Sequence, residues 1–110
     1  MNVIYRRKNY NIYRAGKNQY IVHNTNKPFS NGHTHINNYY AAKMIIKLSL
    51  TKTIPLHLSK YLLESLIRIS EDECYIRSIE EMLWINFHSI LNFPLIEIQG
   101  GDNYVNYRST

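Results

Sequence analysis

His33-Thr34-His35 is the only close pair of histidines in the chain, and two imidazoles one residue apart share a face when the segment is extended. Imidazole is both a metal ligand and, near neutral pH, an acid or a base. With His23, His57 or Cys74 as further donors, the pair can chelate zinc, which needs three or four ligands. With His23 and the Tyr, Lys and Arg around it, the pair can instead cleave RNA without a metal. One histidine takes the 2′-hydroxyl proton, another protonates the leaving oxygen, and a cation steadies the charge on phosphorus. His33, His35 and His23 are the catalytic candidates on that route. A third pattern needs no catalysis. Tyr5, Tyr10, Tyr13 and Tyr20 interleave with Arg6, Arg7, Lys8, Arg14 and Lys17. Strand-borne rings of this kind stack on unpaired bases while the cations hold phosphate.

Charge favours the third pattern. Residues 1–63 contain ten Lys and Arg and no acid, whereas residues 64–110 hold all eight acids and three bases. A +10 half thus joins a −5 half, within a formal net charge of +5. An acid-free basic region attracts phosphate backbones and acidic protein surfaces. The expected binding residues are Arg6, Arg7, Lys8, Tyr13, Arg14, Lys17, Lys27, His33, His35, Lys43 and Lys47. No metal or cofactor is expected. The four glycines, at 16, 32, 100 and 101, make no phosphate-loop or dinucleotide spacing. The acids read as helix caps and salt-bridge partners, which argues against a two-carboxylate catalyst. Cys74 is the single cysteine, so no internal disulfide forms, and a reducing, cytoplasmic setting is expected. Arg6-Arg7-Lys8 interrupts the only N-terminal apolar run, so neither a signal peptide nor a membrane span is expected.

These residues need a scaffold. Its expected class is α+β: antiparallel strands packed on three helices, in a single domain over residues 1–110. The basic strand and turn region covers 1–36. Val3-Ile4-Tyr5 forms a short strand, and Tyr10–Arg14 with Tyr20–Asn24 flanks the turn Ala15-Gly16-Lys17-Asn18 as a hairpin. Asn24–Pro28 is a loop, Gly32 a bend, and His33–Ile36 a short extended segment. Three helices fill 38–91. The first runs from about Asn38, its cap, to Leu50, with Lys43 and Lys47 on its polar stripe. The second has Pro55 in its first turn and carries Leu58, Leu62, Leu66 and Ile69 inward, with Lys60, Glu64 and Arg68 paired outside. The third opens on a Ser70-Glu71-Asp72-Glu73 capping box and carries Ile76, Ile79, Leu83, Phe87 and Ile90 inward. A second hairpin, 95–108, joins the N-terminal strands.

Two resemblances bear on function. Gly32-His33-Thr34-His35-Ile36 is similar to the metal-binding His-x-His that ends the first strand of the amidohydrolase barrel. That family's usual acid is absent, and 110 residues cannot build the barrel. In size, Asn/Ile/Tyr/Lys-rich composition and lone-domain layout, the chain resembles small accessory proteins of phages and mobile elements, anti-CRISPR inhibitors among them. That resemblance implies binding to nucleic acid or to a nucleoprotein complex and blocking it without catalysis. The alternative is a small metal-independent ribonuclease using His33 and His35.

Overall fold

The computed structural model describes residues 2–86. Its elements, in chain order, are β1 (Val3–Arg7), β2 (Tyr10–Gly16), β3 (Gln19–Asn24), α1 (Phe29–Gly32), β4 (His33–Ile36), α2 (Tyr39–Thr51), α3 (Lys60–Ile69) and α4 (Glu73–Trp84). The class is α+β, as expected. The expected hairpin at 95–108 and the inward positions Phe87 and Ile90 lie outside the described residues. Contacts divide the chain into two compact units, Met1–Ile79 and Glu80–Thr110. The fold described below is that of the first.

The four strands form one antiparallel meander in the order β1-β2-β3-β4. Asn18 supplies the left-handed residue, φ 55°, that the β2–β3 turn requires, and Lys8 does the same between β1 and β2. Alternation then sorts the side chains. Tyr10, Ile12, Tyr20, Val22, Asn24, Thr34 and Ile36 stand on the helix side and are buried. Arg6, Asn11, Tyr13, Ile21, His23, His33 and His35 stand on the other.

Helices α2 and α3 cover the inner face. Ile45 and Ile46 of α2 and Leu63, Leu66 and Ile69 of α3 are fully buried against Ile12 and Val22. A chain of hydroxyls runs through this core. The Tyr10 hydroxyl contacts Ser49 Oγ at 2.7 Å and donates to the Ile69 carbonyl, and Ser49 Oγ lies 2.8 Å from Ser70 Oγ. Thr34 and Ser65 pair in the same way at 2.7 Å. Each buried hydroxyl finds its partner on another element, as the cost of leaving one unpaired requires.

Several expectations are corrected. Among the described residues there are four helices, not three, because the four-residue turn of α1 closes the Asn24–Pro28 loop onto β4. The second long helix does not start at Pro55. Residues 52–59 form a loop, and Ser59 caps α3 by accepting from Leu62 N at 3.2 Å. Leu66 and Ile69 are buried as expected, but Leu63 joins them fully buried while Leu62 is only half-buried. Ser70 is not the N-cap of α4. It ends α3, its hydroxyl is committed to Ser49, and Asp72 caps instead by accepting from Tyr75 N at 2.9 Å. Tyr75, unforeseen in the core, is buried with Ile79, whereas Ile76 is half-buried. Arg68, exposed with Lys60 and Glu64, donates from Nε to the His33 carbonyl at 2.8 Å. Asn38 caps α2 as expected, accepting from Ala41 N at 2.9 Å.

Gly32 serves close approach rather than a bend. A Cβ there would lie 2.6 Å from the Cβ of Lys27. That contact lets the Lys27 amine reach the Arg68 and Ser70 carbonyls, at 2.9 and 3.2 Å, and cap the C-terminal end of α3.

Candidate nucleic-acid interface

The basic residues do not form one continuous face. Arg6 lies on the outer sheet face, where its Nε donates to Asn11 Oδ1 at 3.0 Å, and Asn11 in turn donates to the Tyr13 hydroxyl. Arg7 and Lys8 are exposed at the β1–β2 turn. Lys27 is committed to capping α3. Arg14, Lys17, Lys43 and Lys47 remain. The first two sit at the β2–β3 turn, and the second two lie one turn apart on α2.

At that end of the sheet the cations meet aromatic rings. Tyr39, the first residue of α2, packs edge-on to Tyr5 of β1 at 6.4 Å, tilts against Tyr20 of β3 at 5.6 Å, and lies 6.0 Å from Tyr40. Lys43 Nζ stands 5.0 Å from the centre of the Tyr5 ring and 5.4 Å from that of Tyr39. The Arg14 guanidinium stands 6.0 Å over Tyr20. Tyr40 is 77% exposed and available to a ligand. Each exposed cation–π contact contributes about 0.5–1 kcal/mol, enough to orient a lysine while leaving its charge in water.

Sheet register places this cluster at the end of the sheet opposite Glu71. Arg14 pairs with Tyr20 and Tyr20 with Ile36 at one end, while Tyr10 pairs with Asn24 at the other. Glu71 belongs to the second end, where its carboxylate accepts from Asn24 at 2.8 Å and Asn26 at 3.1 Å. These hydrogen bonds, from Asn24 first, then Asn26, together with the nearby Lys27 charge, hold its pKa below the usual carboxylate value.

The histidines are also brought together, as the spacing of His33 and His35 requires. His23 pairs with His33 across β3–β4, and His35 with Ile21. The His33 and His35 rings lie 5.2 Å apart, near-perpendicular, and Phe29 stacks flat on His33 at 4.2 Å. His33 Nδ1 bonds the Phe29 carbonyl, and His23 Nε2 the Lys27 carbonyl at 3.0 Å. A ring nitrogen facing a carbonyl must carry the proton, so each ring's other nitrogen is the basic one in the neutral form. In His23 that atom, Nδ1, is buried without a hydrogen-bond partner. Among the described residues, no group of three or more His, Cys, Asp or Glu side chains is arranged to hold a metal ion. Cys74 is exposed on the first turn of α4.

The sequence pointed to Arg14, Lys17 and Lys43 but not to Tyr39 or Tyr40. The i, i+4 spacing of Tyr39 and Lys43, just after the Asn38 cap, was the available signal. Tyr10, one of the interleaved tyrosines, belongs instead to the buried hydroxyl chain. Among the described residues, no helix is long and apolar enough to cross a membrane. Comparison of the chain with protein-family models, curated proteins and solved structures finds no match.

Proposed function

We propose that the protein is a non-catalytic binding module that engages single-stranded nucleic acid, free or within a nucleoprotein complex. Its contact surface is exposed Tyr40 with half-buried Tyr5 and Tyr39, backed by buried Tyr20 and flanked by Arg14 and Lys43. The carrying observation is the set of tyrosine rings with two cations poised over them in a part of the chain that has no acid. Bases stack on exposed tyrosines for about 1–3 kcal/mol each, and lysine and arginine neutralise the phosphates between them. The biological role that suits such a module is the blocking of a host nucleoprotein complex, such as a CRISPR–Cas effector, by a phage or mobile-element protein. Capture of such a complex after nuclease treatment tests that role.

Fluorescence anisotropy with labelled single-stranded RNA and DNA tests the binding itself. Affinity falls steeply with salt, Tyr40→Ala weakens it by about 1–3 kcal/mol, and Lys43→Gln lowers the salt slope by about 1. Neither side chain is buried, so both variants keep the fold. Absence of binding at low salt removes the proposal.

The histidine face supports a second reading, a metal-independent ribonuclease. Carbonyl-held rings at His33 and His23 beside exposed His35 supply a base and an acid within one strand's reach. The base removes the 2′-hydroxyl proton, that oxygen attacks phosphorus, and the acid protonates the departing 5′-oxygen. His35→Ala then abolishes cleavage of RNA, and DNA of the same sequence stays intact. RNA that survives incubation with the wild-type protein excludes this reading.

A further inference from the structure

Beside the aromatic cluster lies an open cleft of about 390 Å³, lined by Gln19, Tyr20, His35, Ile36, Asn37 and Tyr61. Tyr20 belongs both to the cleft and to the cluster, so the two sites are continuous. The volume falls within the range of small-molecule sites, about 300–1,000 Å³. The floor is apolar, since Ile36 and Tyr20 are 3% and 8% exposed. Tyr61 forms a wall from α3, 54% exposed and fixed by the hydrogen bond from its hydroxyl to the His35 carbonyl. The rim is polar. Gln19, Asn37 and His35 are exposed, and neither carboxamide makes a hydrogen bond within the described residues. Asn37 is not the cap of α2; its neighbour Asn38 is.

An aromatic wall, an apolar floor and two unpaired carboxamides are what an unstacked base needs. The ring faces meet the base plane, and each carboxamide offers a donor beside an acceptor. On its N6/N7 edge adenine presents the matching pair, an amino donor next to a ring-nitrogen acceptor, and Asn and Gln are its usual bidentate partners; guanine has two acceptors there, and cytosine, which offers a like pair at N4 and N3, has a smaller ring to stack. We propose that this cleft receives one adenine of a bound single strand, with Gln19 and Asn37 reading its edge and Tyr61 stacking on its face. The inference rests on the proposed nucleic-acid binding and adds to it a site that selects a base. Arg14, over Tyr20, is placed to hold the adjoining phosphate.

The test is anisotropy with four labelled homo-oligomers of about ten nucleotides, a length within single-strand site sizes. Wild-type protein binds the adenine oligomer about five- to tenfold more tightly than the other three. Gln19→Ala/Asn37→Ala brings all four to one affinity while leaving the salt slope unchanged, because the phosphate contacts are untouched. Both positions are exposed, so the double variant folds. Equal affinity for all four oligomers in the wild type, or an adenine preference that survives the double variant, overturns the base site and leaves the proposed binding standing. No binding to any oligomer overturns both. Adenosine monophosphate that binds as tightly as the adenine oligomer overturns the strand-borne base, because the cleft would then take a free nucleotide.

Discussion

Asn24 concentrates the molecule's polar bookkeeping in one side chain. It is fully buried at the end of β3. Its Oδ1 accepts from Asn9 Nδ2 at 2.7 Å and from Asn26 N at 2.9 Å. Its Nδ2 donates to the Ile69 carbonyl at 2.9 Å and to Glu71 at 2.8 Å. Nothing apolar can replace those bonds, so Asn24→Ala leaves the Ile69 carbonyl only the longer bond from Tyr10, at 3.3 Å, and costs about 2–4 kcal/mol in chemical denaturation. The same variant changes the acid limb of stability. The folded-state pKa of Glu71 lies below its ordinary value of 4.5, so the stability linked to it is complete above that value and is lost as pH falls through the depressed folded pKa. Removing Asn24, its strongest donor, flattens the decline of the urea midpoint below pH 4.5. A wild-type decline retained in the variant would show that Glu71 is not its source. No local pattern announced this residue: Asn24-Thr25-Asn26 reads as a turn, and its partners at 69 and 71 are far along the chain.

At the scale of elements, the sequence was legible where a signal was local. The β2–β3 hairpin, the extended His33–Ile36 segment with both histidines on one face, and the Asn38 cap all follow from alternation, turn residues and capping chemistry within a few positions. It misled where two local signals competed. Ser70 and Asp72 both suit an N-cap, and a long-range bond from Ser49 to Ser70 decides between them. Pro55 and Ser59 both suit a helix start, and burial of Leu63 decides for the second. The candidate site was half legible for the same reason: Arg14, Lys17 and Lys43 carry charge that composition reveals, but the packing of Tyr39 between Tyr5 and Tyr20 is tertiary. Tyr75 links these elements. From the first turn of α4 its hydroxyl donates to the Thr53 carbonyl at 2.8 Å, pinning the chain just past α2. Burial, aided by the nearby Tyr10 phenol, pushes its pKa up to about 12 from 10.0. A folded pKa above the unfolded one means stability that is whole below pH 10 and drains as pH rises toward 12. Ultraviolet titration should show Tyr75 ionising after the exposed tyrosines. Tyr75→Phe should lose stability at neutral pH but show a shallower alkaline decline.

Across the whole molecule, one cause sets stability and binding in opposition. The compact unit through residue 79 carries twelve Lys and Arg against four Asp and Glu. Most of those acids sit at 71–73, near the end of the sheet away from the tyrosine cluster, so they do little to neutralise the cations around Arg14, Lys17 and Lys43. Like charges held close in the fold repel more than in the expanded chain, which destabilises the compact state. Salt screens that repulsion over a Debye length of about 10 Å at 0.1 M. The melting temperature should therefore rise by a few degrees between low and physiological salt, while affinity for nucleic acid falls over the same range. Thermal melts and anisotropy titrations in one set of buffers measure both. A melting temperature that falls with added salt would mean that attractive pairs outweigh the repulsion, and the acid-free region would then have no unspent charge to offer a phosphate backbone. Lys43→Glu should move the two quantities oppositely as well, raising stability at low salt and weakening binding, because it places the first acid inside the tyrosine cluster.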